Sequence, residues 1–284
     1  MKNQYILSLS CIDQVGIVAT ISSALAEMGL FILELSQFSD PSAERFFMRI
    51  FFETTREIAK DDIIKKIAEV GGKFKITWGL HDKNFRPNVL LMVSKLSHCL
   101  NDLLYRWSGN TLPINIKGVV SNHEDLKGMA SWYQTPFYFL PLTFQTKKEQ
   151  EEKLLQLIEQ EHIDLIVLAR YMQILSEDVC KKMHGKIINI HHSFLPSFKG
   201  AKPYHQAFDR GVKIIGATAH YVTAELDEGP IIHQETIHIR HDQSIKDLTQ
   251  LGQDIECQVI ARAVKWHSEQ RVILNGHKTV VFNP

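Results

Sequence analysis

Apolar positions change period several times along the chain, and each change marks an element. Residues 5–11 alternate and are rich in β-formers, which predicts a strand. Val15, Val18, Ile21 and Leu25 recur at helical spacing over 15–28, with Asp13 expected as the N-cap and Gly29 as the stop. Residues 31–38 and 45–53 alternate again across a turn at 39–42. A second helical stretch over 58–70 ends at Gly71-Gly72, and 73–80 forms a last strand. Strand-helix-strand-strand-helix-strand is the split βαβ order, so residues 1–82 form one ferredoxin-like domain.

A polar stretch over 81–87 joins it to a second, different pattern. Strand candidates at 89–93, 114–120, 137–142, 163–169, 187–190, 214–222 and 231–239 are interleaved with helices at 98–107, 147–160 and 245–267. Such alternation predicts parallel strands covered by helices, a Rossmann-like α/β domain over 88–284.

The chemistry gathers where one buried strand ends. After Ile187 and Ile188 the chain reads Asn189-Ile190-His191-His192-Ser193-Phe194-Leu195-Pro196, with His220 and then Leu226-Asp227-Glu228-Gly229-Pro230 further on. Period-2 alternation puts Asn189 and His191 on one side, and ligands of open α/β sheets lie outside the carboxyl ends of the strands. An amide, an imidazole and a carboxylate suit acyl chemistry, whose tetrahedral intermediate needs oxyanion donors in place. Asp227 raises the basicity of His191 by charge pairing and orients a water, and the two titrate as a unit. His192 is expected on the opposite face, His220 as a substrate-binding residue that either supports the trio or serves packing, and Gly229-Pro230 as loop shaping.

The segment 187–234 resembles the folate-dependent formyl transferase family, and within it the deformylase branch. The resemblance covers 87 to the carboxyl end. It implies a catalytic trio of Asn189, His191 and Asp227. It also implies 10-formyltetrahydrofolate as substrate, hydrolysed to formate and tetrahydrofolate without a cofactor, with the formate feeding purine synthesis and the folate pools balanced. Leu168-Ala169-Arg170-Tyr171-Met172-Gln173-Ile174-Leu175 resembles the loop lining the pteridine pocket, with Met172, Ile174 and Leu175 as apolar contacts. Residues 11–19 resemble the start of an ACT regulatory domain, although Ile12 stands where members often have Pro. That implies an amino-acid effector near Asp13, Gly16 and Ile17, and a homo-oligomer assembled through these domains.

Composition narrows the partners. Lys+Arg and Asp+Glu are equal at 32 each, which argues against nucleic acid. The four cysteines form no Cys-x-x-Cys pair, pointing to a reducing compartment without disulfides or structural zinc. Fourteen histidines show no His-x-x-x-His spacing, so no metal site is expected. The amino terminus reads as neither signal nor transit peptide and no run spans a bilayer, so a soluble cytoplasmic protein is expected. Residues 94–100 contain no glycine, whereas relatives that formylate a phosphorylated amine cradle its phosphate on a Gly-rich loop there. Water is then the simplest acceptor. A glycinamide ribonucleotide transformylase and a non-catalytic folate or amino-acid sensor are the alternatives.

Overall fold

A computed structural model describes residues 3–143, 145–195 and 203–284, so Met1, Lys2 and Pro196 of the segments above lie outside the described residues. The chain divides into two units, with the chain passing from one to the other between Phe85 and Arg86.

The first unit runs β1 (Gln4–Ile12), α1 (Ile17–Glu27), β2 (Leu30–Asp40), β3 (Arg45–Thr54), α2 (Lys60–Gly72) and β4 (Thr77–Asp82). Its four strands pair antiparallel in the order β2-β3-β1-β4. Alternation along β3 sorts its side chains between two faces. Phe46, Met48, Ile50 and Phe52 join Ile17, Ile21, Leu25, Ile63 and Ile67 in the helix-side core. Phe47 faces the other way and packs with Val280, Phe282 and Ile273.

The unit therefore includes Glu269–Asn275 and Val280–Pro284 as well as the amino-terminal residues. The sequence-based boundary left that tail with residues 88–284. It packs on the first sheet because Arg49, 1% exposed, needs partners. Its guanidinium donates to the carbonyls of Gln270 (3.2 Å) and Glu269 (3.1 Å) and to Glu34 (3.0 Å).

The start of α1 also differs from expectation. Gly16 is the N-cap, at φ 99, with no side-chain cap. Only glycine adopts that conformation without strain. Asp13 instead accepts a hydrogen bond from Ser39, and its N–H donates to the Glu44 carbonyl.

The second unit runs β5 (Asn88–Val93), α3 (His98–Ser108), β6 (Asn115–Ser121), α4 (Lys127–Trp132), β7 (Phe137–Phe139), α5 (Lys147–Gln160), β8 (Leu165–Leu168), α6 (Glu177–Lys182), β9 (Ile187–His191), α7 (Pro203–Asp209), β10 (Ile214–Tyr221), β11 (Ile231–His238) and α8 (Ile245–Ser268). Two short strands, β12 (Val272–Asn275) and β13 (Lys278–Val281), form a terminal hairpin. The sheet order is β11-β10-β9-β8-β5-β6-β7. Pairs from β9 to β7 are parallel, while β10 is antiparallel to both neighbours. All five residues from Val89 to Val93 are fully buried, as expected for a parallel strand covered on both faces.

Strand order reverses between β5 and β8, and such switch points open a crevice at the strands' carboxyl ends. Ser94, just past β5, closes its near side. Its hydroxyl donates to Asn122 (2.8 Å) and accepts from the Met172 N–H (3.0 Å), pinning the loop after β8.

Candidate active site

A cavity of about 710 Å³ opens beyond β8, β9 and β10. Asn189 and His191 line it from the end of β9, with buried Ile190 between them. In the antiparallel register His220 of β10 lies opposite Asn189, and cross-strand pairs share a face. Their side chains meet, Asn189 Nδ2 standing 3.2 Å from His220 Nε2. His220 is 2% exposed, and its Nδ1 donates to the Tyr221 carbonyl at 2.9 Å. With Nδ1 donating there, Nε2 is the ring atom that faces the Asn189 amide.

Asp227 arrives on the loop between β10 and β11. It sits at φ 58, a left-handed conformation in which Asp and Asn are the most tolerated side chains after Gly. Gly229 lets this loop lie down, since a Cβ there would stand 1.7 Å from the Tyr221 carbonyl oxygen. One carboxylate oxygen then lies 3.4 Å from His191 Nδ1 and the other 3.7 Å from His220 Nε2. His191 and then His220 hold the Asp227 carboxyl well below the usual carboxylate range, against the opposing pull of burial. At these separations the contacts lie at the edge of hydrogen-bond range, geometry that can tighten when substrate is bound.

His192 departs from expectation. Alternation lapses where β9 ends, so its ring stacks on His191 with centroids 4.7 Å apart and lines the same cavity. Burial, then the Arg170 charge, push its pKa down to about 4.

The loop after β8 forms another wall. Met172 and Ile174 are 58% and 57% exposed and offer apolar surface to the cavity, whereas Leu175 is mostly core. In the first unit Asp13 and Gly16 are exposed, whereas the Ile17 side chain is buried in the helix-side core. Val15 beside them is fully exposed.

One buried charged group is not among the residues that the sequence singles out. Glu256, 1% exposed on α8, receives hydrogen bonds at 2.7 Å from His98 and from the Tyr204 hydroxyl, with Arg170 Nε 3.5 Å away. A signal existed: Leu248, Gly252, Glu256, Ile260 and Val264 recur every four residues, placing a carboxylate in an apolar stripe. Among the described residues, His98, Cys99 and Glu256 also bring ligand atoms within 4.8 Å of one another. Glu256 is already engaged twice and faces a guanidinium, so the group reads as a charge network, not a cation seat.

A family model described as formyl transferase matches residues 87–264. A formyltetrahydrofolate deformylase of Corynebacterium sp. (strain P-1) is 46% identical over 281 residues, 98% of each chain. The chain belongs to the formyltetrahydrofolate deformylase family. A crystal structure of the family member from Burkholderia mallei superposes with a TM-score of 0.95 at 46% identity, over 99% of this chain and 100% of that one. The phosphoribosylglycinamide formyltransferase of Anaplasma phagocytophilum matches less: TM-score 0.64 and 30% identity over 70% of this chain and 96% of that one. Likeness to the deformylases thus runs the length of both units.

Proposed function

We propose that this enzyme hydrolyses 10-formyltetrahydrofolate to formate and tetrahydrofolate, with Asn189, His191 and Asp227 as catalytic residues. The observation that carries the roles is Asp227 held as a carboxylate between two imidazoles, beside the Asn189 amide, in one cavity wall. Asp227 orients a water and takes up its proton through His191 as oxygen attacks the formyl carbon. Asn189 and His191 donate to the oxyanion of the tetrahedral intermediate. The carbon–nitrogen bond then breaks as N10 takes the proton held by the His191–Asp227 pair, and formate and tetrahydrofolate remain. His220 supports the trio from beside Asn189 and Asp227. Met172 and Ile174 contact the pteridine-bearing end. No metal or cofactor enters these steps.

The remaining roles rest on topology and surface. The β2-β3-β1-β4 sheet with two helices on one face fits an ACT-type regulatory unit, with an amino acid bound near Asp13 and Gly16. Phe31, Leu33 and Phe38 on the edge strand β2, with Ile12 and Val15, expose apolar area suited to self-association. Formate supply to purine synthesis is the metabolic role that follows. Among the described residues no helix is long and apolar enough to cross a membrane.

The deciding assay supplies 10-formyltetrahydrofolate alone and follows formate and tetrahydrofolate. Stoichiometric formate without an added amine is expected. Turnover that waits for glycinamide ribonucleotide would make the enzyme a transferase.

A further inference from the structure

Among the described residues, the buried side-chain nitrogens and oxygens without a hydrogen-bond partner are Arg170 Nε, His191 Nε2 and His192 Nε2. All three residues line the same cavity. A buried polar atom left unpaired costs about 1–3 kcal/mol, so three around one space point to a ligand that completes them.

Arg170 is the unusual member. Its backbone lies at φ 67, a left-handed conformation that costs a non-glycine residue of order 1–3 kcal/mol. Its side chain is 11% exposed, and Glu256 at 3.5 Å balances the charge without accepting a hydrogen bond. Glu256 has His98 and Tyr204 on its two oxygens, and Arg170 Nε stays without an acceptor. His192, kept neutral by burial and by that guanidinium, adds a polar ring atom without adding charge.

We propose that Arg170, assisted by His192, is the seat of a small planar monocarboxylate, the formate that leaves the reaction. The inference deepens the hydrolytic reading above and rests on it. When water has added to the formyl carbon and the bond to N10 has broken, the one-carbon product loses its proton and becomes an anion beside His191. A guanidinium presents paired N–H donors that match a carboxylate's two oxygens. The same charge disfavours an ammonium acceptor in that space, so Arg170 also biases the site toward water.

The probe is ¹³C-formate, titrated by NMR and as a product inhibitor into the full chain, alongside Arg170→Lys, Arg170→Met and the double variant Arg170→Met/Glu256→Gln, which also removes the buried charge that Arg170 balances. Formate affinity should fall about tenfold or more in both methionine variants and less in Arg170→Lys, because the fork is lost but the charge kept. Tetrahydrofolate affinity should stay within about twofold, which a general collapse of the site would not allow. Unchanged formate affinity in the methionine variants, or no formate binding by the parent, overturns the seat even if formate is still produced. Arg170-dependent formate binding by an enzyme that releases none from 10-formyltetrahydrofolate supports the seat and sinks the hydrolytic reading instead.

Discussion

Two clusters of ionisable groups meet at the His191–His192 pair, and they are built differently. Behind it, Glu256 is gripped at 2.7 Å by both His98 and Tyr204 in nearly complete burial. In front, Asn189, His191, His220 and Asp227 stand 3.2–3.7 Å apart, and Asp227 is 28% exposed to the cavity. The tight cluster has spent its hydrogen bonds on itself, so it holds shape. The loose one keeps capacity for a reacting molecule. The proposed chemistry and the rigidity thus fall to adjacent groups of similar composition.

The sharpest test of this division is Asp227→Asn. Asparagine tolerates the left-handed conformation, so the fold should survive while kcat falls by roughly 10²–10⁴-fold. Near-normal turnover in a steady-state formate assay would show that the loose cluster is not the reactive one. Glu256→Ala should do the reverse. Removing the hub of a buried network should cost about 3–5 kcal/mol of stability in chemical denaturation.

His192 lies between the two and makes a pH prediction. Its folded pKa, about 4, is below the ordinary 6.5, so between those values the unfolded chain binds more protons. Stability should therefore decline as pH falls from 6.5 towards 4, by up to about 3 kcal/mol. In His192→Asn that part of the decline should vanish in thermal melts at stepped pH. The smallest effect is expected at the loop after β8, where Met172→Ala should raise KM several-fold, about 1 kcal/mol, with kcat little changed.

Much of this arrangement can be read in the chain, and the exceptions share a cause. The strands around the site are continuous β-branched or aliphatic runs, and α5 follows its expected bounds because fourteen residues display a full periodicity. Helices α4 and α6, of six residues each, make under two turns and leave no period to detect. Asn189 and His191 share a face because pleating is local. That His220 faces Asn189, and that Gly229 lets Asp227 reach both histidines, depends on register between strands, which no local pattern reports. Asp13 was misjudged because Ser39, 26 residues away, claims its carboxylate. The carboxyl-terminal tail escaped for the same reason: Val280 and Phe282 look like a short edge until Phe47 supplies their partner.

That tail sets an order of events during synthesis. Arg49 leaves the ribosome 221 residues ahead of Gln270, the carbonyl its Nε will bond. At bacterial-to-eukaryotic elongation rates the interval is roughly 10–45 s. Throughout it, the helix-covered face of the first sheet can close, while Phe47 and Arg49 on the other face wait in solvent or with a chaperone. The earliest sheet to emerge is consequently the last to be finished, and a chain that terminates a dozen residues early would carry an unsealed surface however well its catalytic half had folded.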